Sequence, residues 1–151
     1  MFADSLIVPQ CVYRPGSFTG LMTVYESNYL KLGRLASRYP AKKNIVWTSA
    51  VPDDCDLHLE VLRREPYTTT LRMTYWFLDA EAGRIPDPDL TVRVYHDARL
   101  AEAVAARVVH RHEVLQDLDP AHAAELGRRW RVNMMLNKWL DYLLEIGHAF
   151  Y

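Results

Sequence analysis

Apolar residues near the start of the chain repeat at helical spacing. Pro40 is expected to end this helix, because the residue before a proline avoids helical backbone angles. Thr19 or Gly20 is predicted to cap it at the start. The apolar positions lie three or four residues apart, the period of an amphipathic helix: Leu21, Val24, Tyr25, Tyr29, Leu32 and Leu35.

Alternation of apolar and polar residues replaces the helical period in the middle of the chain. Such alternation predicts half-buried strands, here at residues 45–48, 57–62, 67–77 and 90–95. The segment 67–77 is the clearest, since threonine and aromatic residues favour strands. Gly83, Pro86 and Pro88 predict a loop over 79–89. The short connections between these strands predict an antiparallel sheet.

Helical spacing returns after the last predicted strand. Asp97 is predicted to cap a helix whose buried stripe is Leu100, Ala101, Val104, Ala105, Val108 and Val109. Asp119 and Pro120 predict a further helix start. Gly147 ends that helix, and Gly127 is a possible break within it. The predicted fold class is therefore α+β: an N-terminal helix, an antiparallel meander of three or four strands, and two or three C-terminal helices on one sheet face.

Length and charge narrow the class of protein. The 151 residues fit one domain, predicted over residues 20–151, with residues 1–19 as an irregular N-terminal arm. No apolar run approaches the length of a membrane span. A net charge of −1 argues against nucleic acid as a partner. Two cysteines make no disulfide framework, and no secretory signal is evident, so a cytoplasmic location is expected.

The strand register divides side chains between two faces of the sheet. One face is apolar and is predicted to meet the helices: Leu57, Leu59, Val61, Tyr67, Leu71, Met73, Phe77, Leu90, Val92 and Val94. The other face is polar and carries Arg72, Trp76, Arg93 and Tyr95. A polar face is either ordinary solvated surface or a recognition platform, since arginine and aromatic residues are enriched at binding hot spots.

The candidate chemistry is sparse. No metal or cofactor is predicted, because the acidic turn Asp53–Asp56 lacks calcium-loop spacing. His110 and His112 would point about 200° apart on a helix. His96 lies at a predicted strand-to-helix junction and is a weak candidate for a general acid or base, with Glu26 as a second weak candidate. A structural histidine bonded to backbone is the favoured alternative for His96.

Several segments resemble the YqiB-like family of small proteobacterial proteins, which is classed as a domain of unknown function. The resemblance is carried by residues 21–29, 67–69 and 90–98, the last with the sequence LTVRVYHDA, and by Asn133, Leu136, Trp139, Leu140, Leu143 and Gly147. It extends over most of the chain and implies no activity. A role common to the family would lie at pattern residues such as Asn28, Arg93, His96 and Asn133.

Two functional hypotheses follow. The first is a non-catalytic binding or adaptor domain that acts through protein–protein contact, with another protein or a second copy as partner. The alternative is an enzyme or a sensor for a small anionic ligand near the end of the last strand. There Arg93 would hold the anion, His96 would act as acid or base, and Tyr95 or Glu26 would orient them. Alternation, however, predicts that Arg93 and His96 lie on opposite sides of the sheet.

Overall fold

A computed structural model describes residues 17–107 and 125–151. Within these residues the chain forms two helices, α1 (Phe18–Leu35) and α2 (Glu125–Ile146), on either side of five strands in sequence. The strands are β1 (Val46–Ser49), β2 (Asp56–Arg64), β3 (Thr68–Asp79), β4 (Gly83–Tyr95) and β5 (Leu100–Arg107). Each strand pairs antiparallel with the next, so the sheet is a five-stranded meander in chain order.

The predicted number of strands and C-terminal helices was wrong. The segment expected to be a helix after Asp97 is β5, which pairs with β4 from Tyr95–Leu100 to Asp89–Arg107. Asp97 caps no helix, since it lies in the turn between these strands and its carboxylate accepts from the N–H of Ala98 at 2.9 Å. The alanine-rich sequence favours a helix locally, but pairing with β4 and burial of alternate alanines decide for a strand.

The long loop predicted over 79–89 is also mostly strand. Asp79 pairs with Gly83, whose φ of 78° suits a glycine in a tight turn. β4 therefore begins at Gly83 and includes both prolines. The pairing of β5 with β4 begins at Asp89. In the described chain the part of β4 before Asp89 is therefore hydrogen-bonded to β3 alone. A proline is tolerated there, because the N–H that it lacks is not needed for pairing.

The boundaries of the helices follow from their caps. The Ser17 hydroxyl accepts from the N–H of Gly20 at 3.0 Å, so Ser17 rather than Thr19 or Gly20 caps α1. α1 ends at Leu35, ahead of Pro40. α2 runs without a break through Gly127.

Gly147 has a φ of 101° and directly follows the end of α2, which confirms the predicted stop. None of the described helices has the length and apolar character needed to cross a membrane. Other predictions fall outside the described residues: the arm up to residue 16, the His110 and His112 pair, and the helix start at Asp119 and Pro120.

The core lies between the two helices and one face of the sheet. Most of the predicted apolar face is no more than 2% exposed: Leu57, Leu59, Val61, Leu71, Met73, Leu90, Val92 and Val94. Leu32, Leu136, Trp139 and Leu143 of the helices pack against this face. Tyr67 differs from the prediction and is 68% exposed, because it precedes the first residue of β3. Phe77 is only half-buried, beyond a register shift between Thr74 and Trp76.

A buried polar network joins both helices to β5, the last strand of the described sheet. Asn133 of α2 accepts from the N–H of Ala103 at 2.7 Å, and its Nδ2 donates to the carbonyl of Ala103 at 3.4 Å. Asn28 of α1 donates to the carbonyl of Ala101 at 3.3 Å. The side-chain amides thus take the place of a further strand at this edge, where unpaired backbone groups would otherwise be buried.

Candidate functional site

Four residues predicted from the sequence lie on one face of the sheet. Arg72 and Trp76 extend from β3, while Arg93 and Tyr95 extend from β4, all opposite the helix-packed face. We call this surface the open face, because within residues 17–107 and 125–151 no helix packs on it. Carboxylates also lie on the open face, among them Asp56, Glu60, Asp89 and Glu102.

Arg72 is held between two of these carboxylates. Its Nε and Nη2 donate to the two oxygens of Asp89 at 2.9 and 2.8 Å, a bidentate pair. Its Nη1 lies 3.5 Å from Glu60. The hydrogen bond to Asp89 raises the pKa of Arg72 above its usual range, although burial acts in the opposite direction. The side chain is still 40% exposed, so its orientation is fixed while part of it faces solvent.

Trp76 is fixed in a similar way. Its Nε1 donates to Nδ1 of His58 at 2.9 Å, and the guanidinium of Arg84 lies 5.3 Å from the centre of its ring. A histidine nitrogen that accepts a hydrogen bond carries no proton. This agrees with the direction of the His58 pKa, which is lowered first by burial and then by Arg84. The indole therefore has a defined orientation on the open face.

Arg93 and Tyr95 form the third arrangement on this face. The Tyr95 hydroxyl donates to Glu102 at 2.5 Å. A hydrogen bond to Tyr95 raises the pKa of Arg93, with Glu102 and Glu65 contributing. Burial and Glu102 raise the pKa of Tyr95. Arg93 is therefore surrounded by groups that already use or neutralise its charge.

His96 lies on the other side of the sheet. Its Nε2 is 2.7 Å from the hydroxyl of Thr69, a residue that is 1% exposed in the helix-packed face. Its backbone N–H donates to the carbonyl of Tyr67 at 2.9 Å. The structure does not bring Arg93 and His96 into one site. Glu26 is exposed on α1, and in the described chain no hydrogen bond or ion pair joins it to His96.

His96 borders a pocket of about 340 Å³ that sequence reasoning did not identify. Its other polar lining residues come from α1, from the segment after it and from the end of β2: Tyr29, Ser37, Arg38, Tyr39 and Arg64. We call it the basic pocket. Arg64 reaches this side because the register of β2 against β3 shifts between Val61 and Arg63, which places Arg64 opposite Thr69. Strict alternation along β2 does not reveal that shift.

A buried serine, a buried histidine and a partly buried aspartate form a series of hydrogen bonds elsewhere in the fold. His148 lies 2.8 Å from both Ser49 Oγ and Asp54 Oδ2, and Asp54 also accepts from the hydroxyls of Tyr75 and Tyr142. These residue types serve in nucleophilic catalysis. Ser49, however, is 7% exposed and also accepts from the N–H of Ala149. These hydrogen bonds therefore connect the C-terminal segment to β1 and to the acidic turn.

Stability at alkaline pH tests the burial of two phenols. Burial, with Tyr29 nearby, raises the pKa of Tyr39 to about 12. Burial and Glu102 raise the pKa of Tyr25 to about 12. The same phenols ionise near pH 10 in the unfolded chain, so above that pH the folded state binds more protons. Their contribution to the free energy of unfolding is complete below about pH 10 and is lost as the pH rises towards about 12.

Thermal unfolding followed by circular dichroism from pH 8 to 12 measures this loss. We expect Tm to fall through the upper half of that range and to fall less steeply in Tyr39→Phe, which has no phenol to ionise at that position. Tyr67→Phe is the matched control, because Tyr67 is 68% exposed. A Tm that stays level to pH 12 would contradict the prediction.

Together these features define the chain as a small α+β domain built on an antiparallel meander, with two helices on one face of the sheet. It belongs to the family described as "Protein of unknown function (DUF1249)", whose model matches residues 31–149. This membership confirms the YqiB-like resemblance.

Curated relatives agree with this assignment. The chain is 29% identical over 142 residues to "Uncharacterized protein YqiB" of Escherichia coli (strain K12), which covers 89% of this chain and 93% of the relative. The protein of the same name from Escherichia coli O157:H7 matches with the same identity and coverage. No solved structure matches the chain. The names of the family and of these relatives state no activity.

Proposed function

We propose that this chain is a non-catalytic binding domain that contacts a folded protein partner through the open face. The observation that carries the proposal is the fixed orientation of three half-exposed side chains of hot-spot type. Arg72 is held by Asp89 and Glu60, Trp76 by His58 and Arg84, and Tyr95 by Glu102. Arginine, tryptophan and tyrosine are the residues that most often dominate binding energy at protein interfaces.

Fixed orientation favours binding because ordering a long side chain costs free energy. That cost is about 0.5–1.5 kcal/mol for each rotamer-rich side chain immobilised in a complex. On the open face intramolecular hydrogen bonds already restrict the side chains, so less conformational entropy is lost when a partner binds. A partner then gains contact with Arg72 and Trp76 without first restricting their rotamers.

The charges of the open face favour a protein over other partners. Glu60, Asp89 and Glu102 alternate with the arginines. Carboxylates at these positions repel a phosphate backbone, so nucleic acid is disfavoured. A folded protein surface offers both signs of charge together with apolar contacts, as this face does. We further propose a cytoplasmic location, because Cys55 is a free thiol, as expected in a reducing compartment.

Native capture from the organism's own lysate, followed by reconstitution with the purified partner, tests the proposal. A stoichiometric protein partner should be retained by the wild-type chain. Its affinity should fall about 30-fold in Trp76→Ala, which corresponds to roughly 2 kcal/mol at a hot spot, and should also fall in Arg93→Ala. Lys138→Ala is the matched control, since Lys138 is exposed on α2.

Two further measurements complete this test. Thermal unfolding must show that Trp76→Ala and Arg93→Ala remain folded. Sedimentation velocity distinguishes a second copy of the chain from a different protein, since only the second copy doubles the mass of the purified protein alone. A folded double variant that retains the partner at wild-type affinity would reject the open face as the contact surface.

A further inference from the structure

We propose that the basic pocket binds a small dianionic molecule, such as a phosphate monoester or a dicarboxylate. This proposal is independent of the open face, because the pocket lies on the helix-packed side of the sheet. Its lining contains two guanidinium groups, an imidazole, two phenols and a hydroxyl, and among the described residues no carboxylate. Guanidinium groups stay charged at any physiological pH, so the pocket carries two fixed positive charges.

Both arginines of the pocket are positioned by contacts other than side-chain carboxylates. Arg64 donates to the carbonyl of Pro40 at 2.9 Å. Arg38 lies 5.6 Å from the ring centre of Trp47 and donates to the main-chain oxygen of Tyr151, the last residue of the printed sequence, at 3.4 Å. Within the described chain neither guanidinium pairs with an aspartate or glutamate side chain. This contrasts with Arg72 on the open face, whose charge is taken by Asp89.

Hydrogen bonds at the end of α1 reduce the negative potential that the helix presents to an anion here. The C-terminus of a helix carries a partial negative charge on its free carbonyls. In α1 the carbonyl of Leu32 accepts from Ala36 N–H at 2.8 Å, and that of Leu35 accepts from Phe150 N–H at 2.7 Å. These two carbonyls at the end of the helix are therefore occupied. The arginines then dominate the field within the pocket.

Size and donor chemistry indicate the class of ligand. The volume of about 340 Å³ lies at the lower end of the range for small-molecule sites, which suits a small molecule rather than a peptide segment. Guanidinium forks match the oxygens of phosphate and carboxylate groups. Two guanidinium groups, with no Asp or Glu side chain in the described lining, favour a ligand of charge −2 over a monocarboxylate.

Isothermal titration calorimetry of the full chain at low ionic strength tests the proposal, with inorganic phosphate, succinate and acetate as probes. We expect saturable 1:1 binding of phosphate or succinate and at least tenfold weaker binding of acetate. If phosphate binds and succinate does not, the ligand carries a phosphate group. If succinate binds and phosphate does not, the ligand is a dicarboxylate. If acetate bound as tightly as either dianion, the assignment of a dianion would be overturned.

Three variants locate the site. Arg64→Gln should weaken binding of the dianion about tenfold, because one charge-assisted fork is lost. Arg63→Gln is the matched control: it makes the same change in charge one residue away, but Arg63 pairs with Thr70 and faces the other side of the sheet. It should bind within twofold of wild type.

Ser37→Asp is the variant that spares existing contacts. Ser37 is exposed, and the structure describes no hydrogen bond from its side chain, so the new carboxylate adds repulsion without removing support. It should abolish binding while Tm stays unchanged. If no dianion binds the wild-type chain saturably, or if Ser37→Asp and Arg64→Gln bind as wild type does, the proposed site is wrong.

Discussion

Replacing Asp141 with asparagine should lower the free energy of unfolding by about 3–5 kcal/mol, the loss expected when a buried ion pair loses one partner. The Nζ of Lys31 lies 2.7 Å from Asp141 Oδ1 and 2.7 Å from Asn137 Oδ1. The Lys31 side chain is 0% exposed, whereas that of Asp141 is 14% exposed. Because the ammonium is shielded from water, loss of the Asp141 charge should destabilise the folded state.

The asymmetry of burial makes a second variant informative. Lys31→Met should cost less than Asp141→Asn, because the carboxylate left behind still reaches solvent. The double variant Lys31→Met with Asp141→Asn should be more stable than Asp141→Asn alone, since it no longer buries an ammonium that has lost the Asp141 carboxylate. Chemical denaturation of all four proteins completes the cycle and isolates the coupling between the two groups.

Glu145→Gln serves as the control for these measurements. Glu145 is an exposed acid on the same helix, and its substitution should stay within about 0.5 kcal/mol of wild type. If Asp141→Asn also stayed within that range, Lys31 would not depend on the Asp141 charge. The pair would then contribute only what an exposed ion pair contributes.

The sequence indicates where the core lies better than it indicates how many strands surround it. Period-two alternation identifies Leu59, Met73 and Val92 as core, because each lies in a strand whose partners were also recognised. β5 is different: Ala101 and Ala103 are buried in a sequence that also supports a helical stripe. Pairing with β4 decides between helix and strand, and this pairing cannot be predicted from the local sequence.

The same limit applies to the candidate sites. Alternation is enough to place Arg72, Trp76, Arg93 and Tyr95 on one face, and to separate Arg93 from His96. It does not reveal the basic pocket, because Arg64 reaches it through a register shift and Arg38 through the path of the chain after α1. Irregularities of this kind depend on tertiary packing, so a single sequence carries little signal for them.

Asn133 tests how the fold completes the edge of its sheet. We expect Asn133→Ala to lower the free energy of unfolding by about 3 kcal/mol, since the buried N–H and carbonyl of Ala103 would both lose a partner, at about 1–3 kcal/mol each. Asn133→Asp should also be destabilising. It keeps an acceptor for the N–H of Ala103 but turns a carboxylate oxygen towards the carbonyls of Ala103 and Arg129, to which Nδ2 now donates.

A local measurement separates this role from general loss of packing. Native-state hydrogen exchange of the Ala103 amide should speed up in Asn133→Ala by more than the global loss of stability requires, because that N–H donates directly to Asn133 Oδ1 at 2.7 Å. β3 is paired on both sides, so the exchange rates of its amides should change only as much as the global stability changes. Lys138→Ala on α2 is the control and should change neither. Equal acceleration in β3 and β5 would mean that Asn133 supports the core as a whole rather than the edge strand.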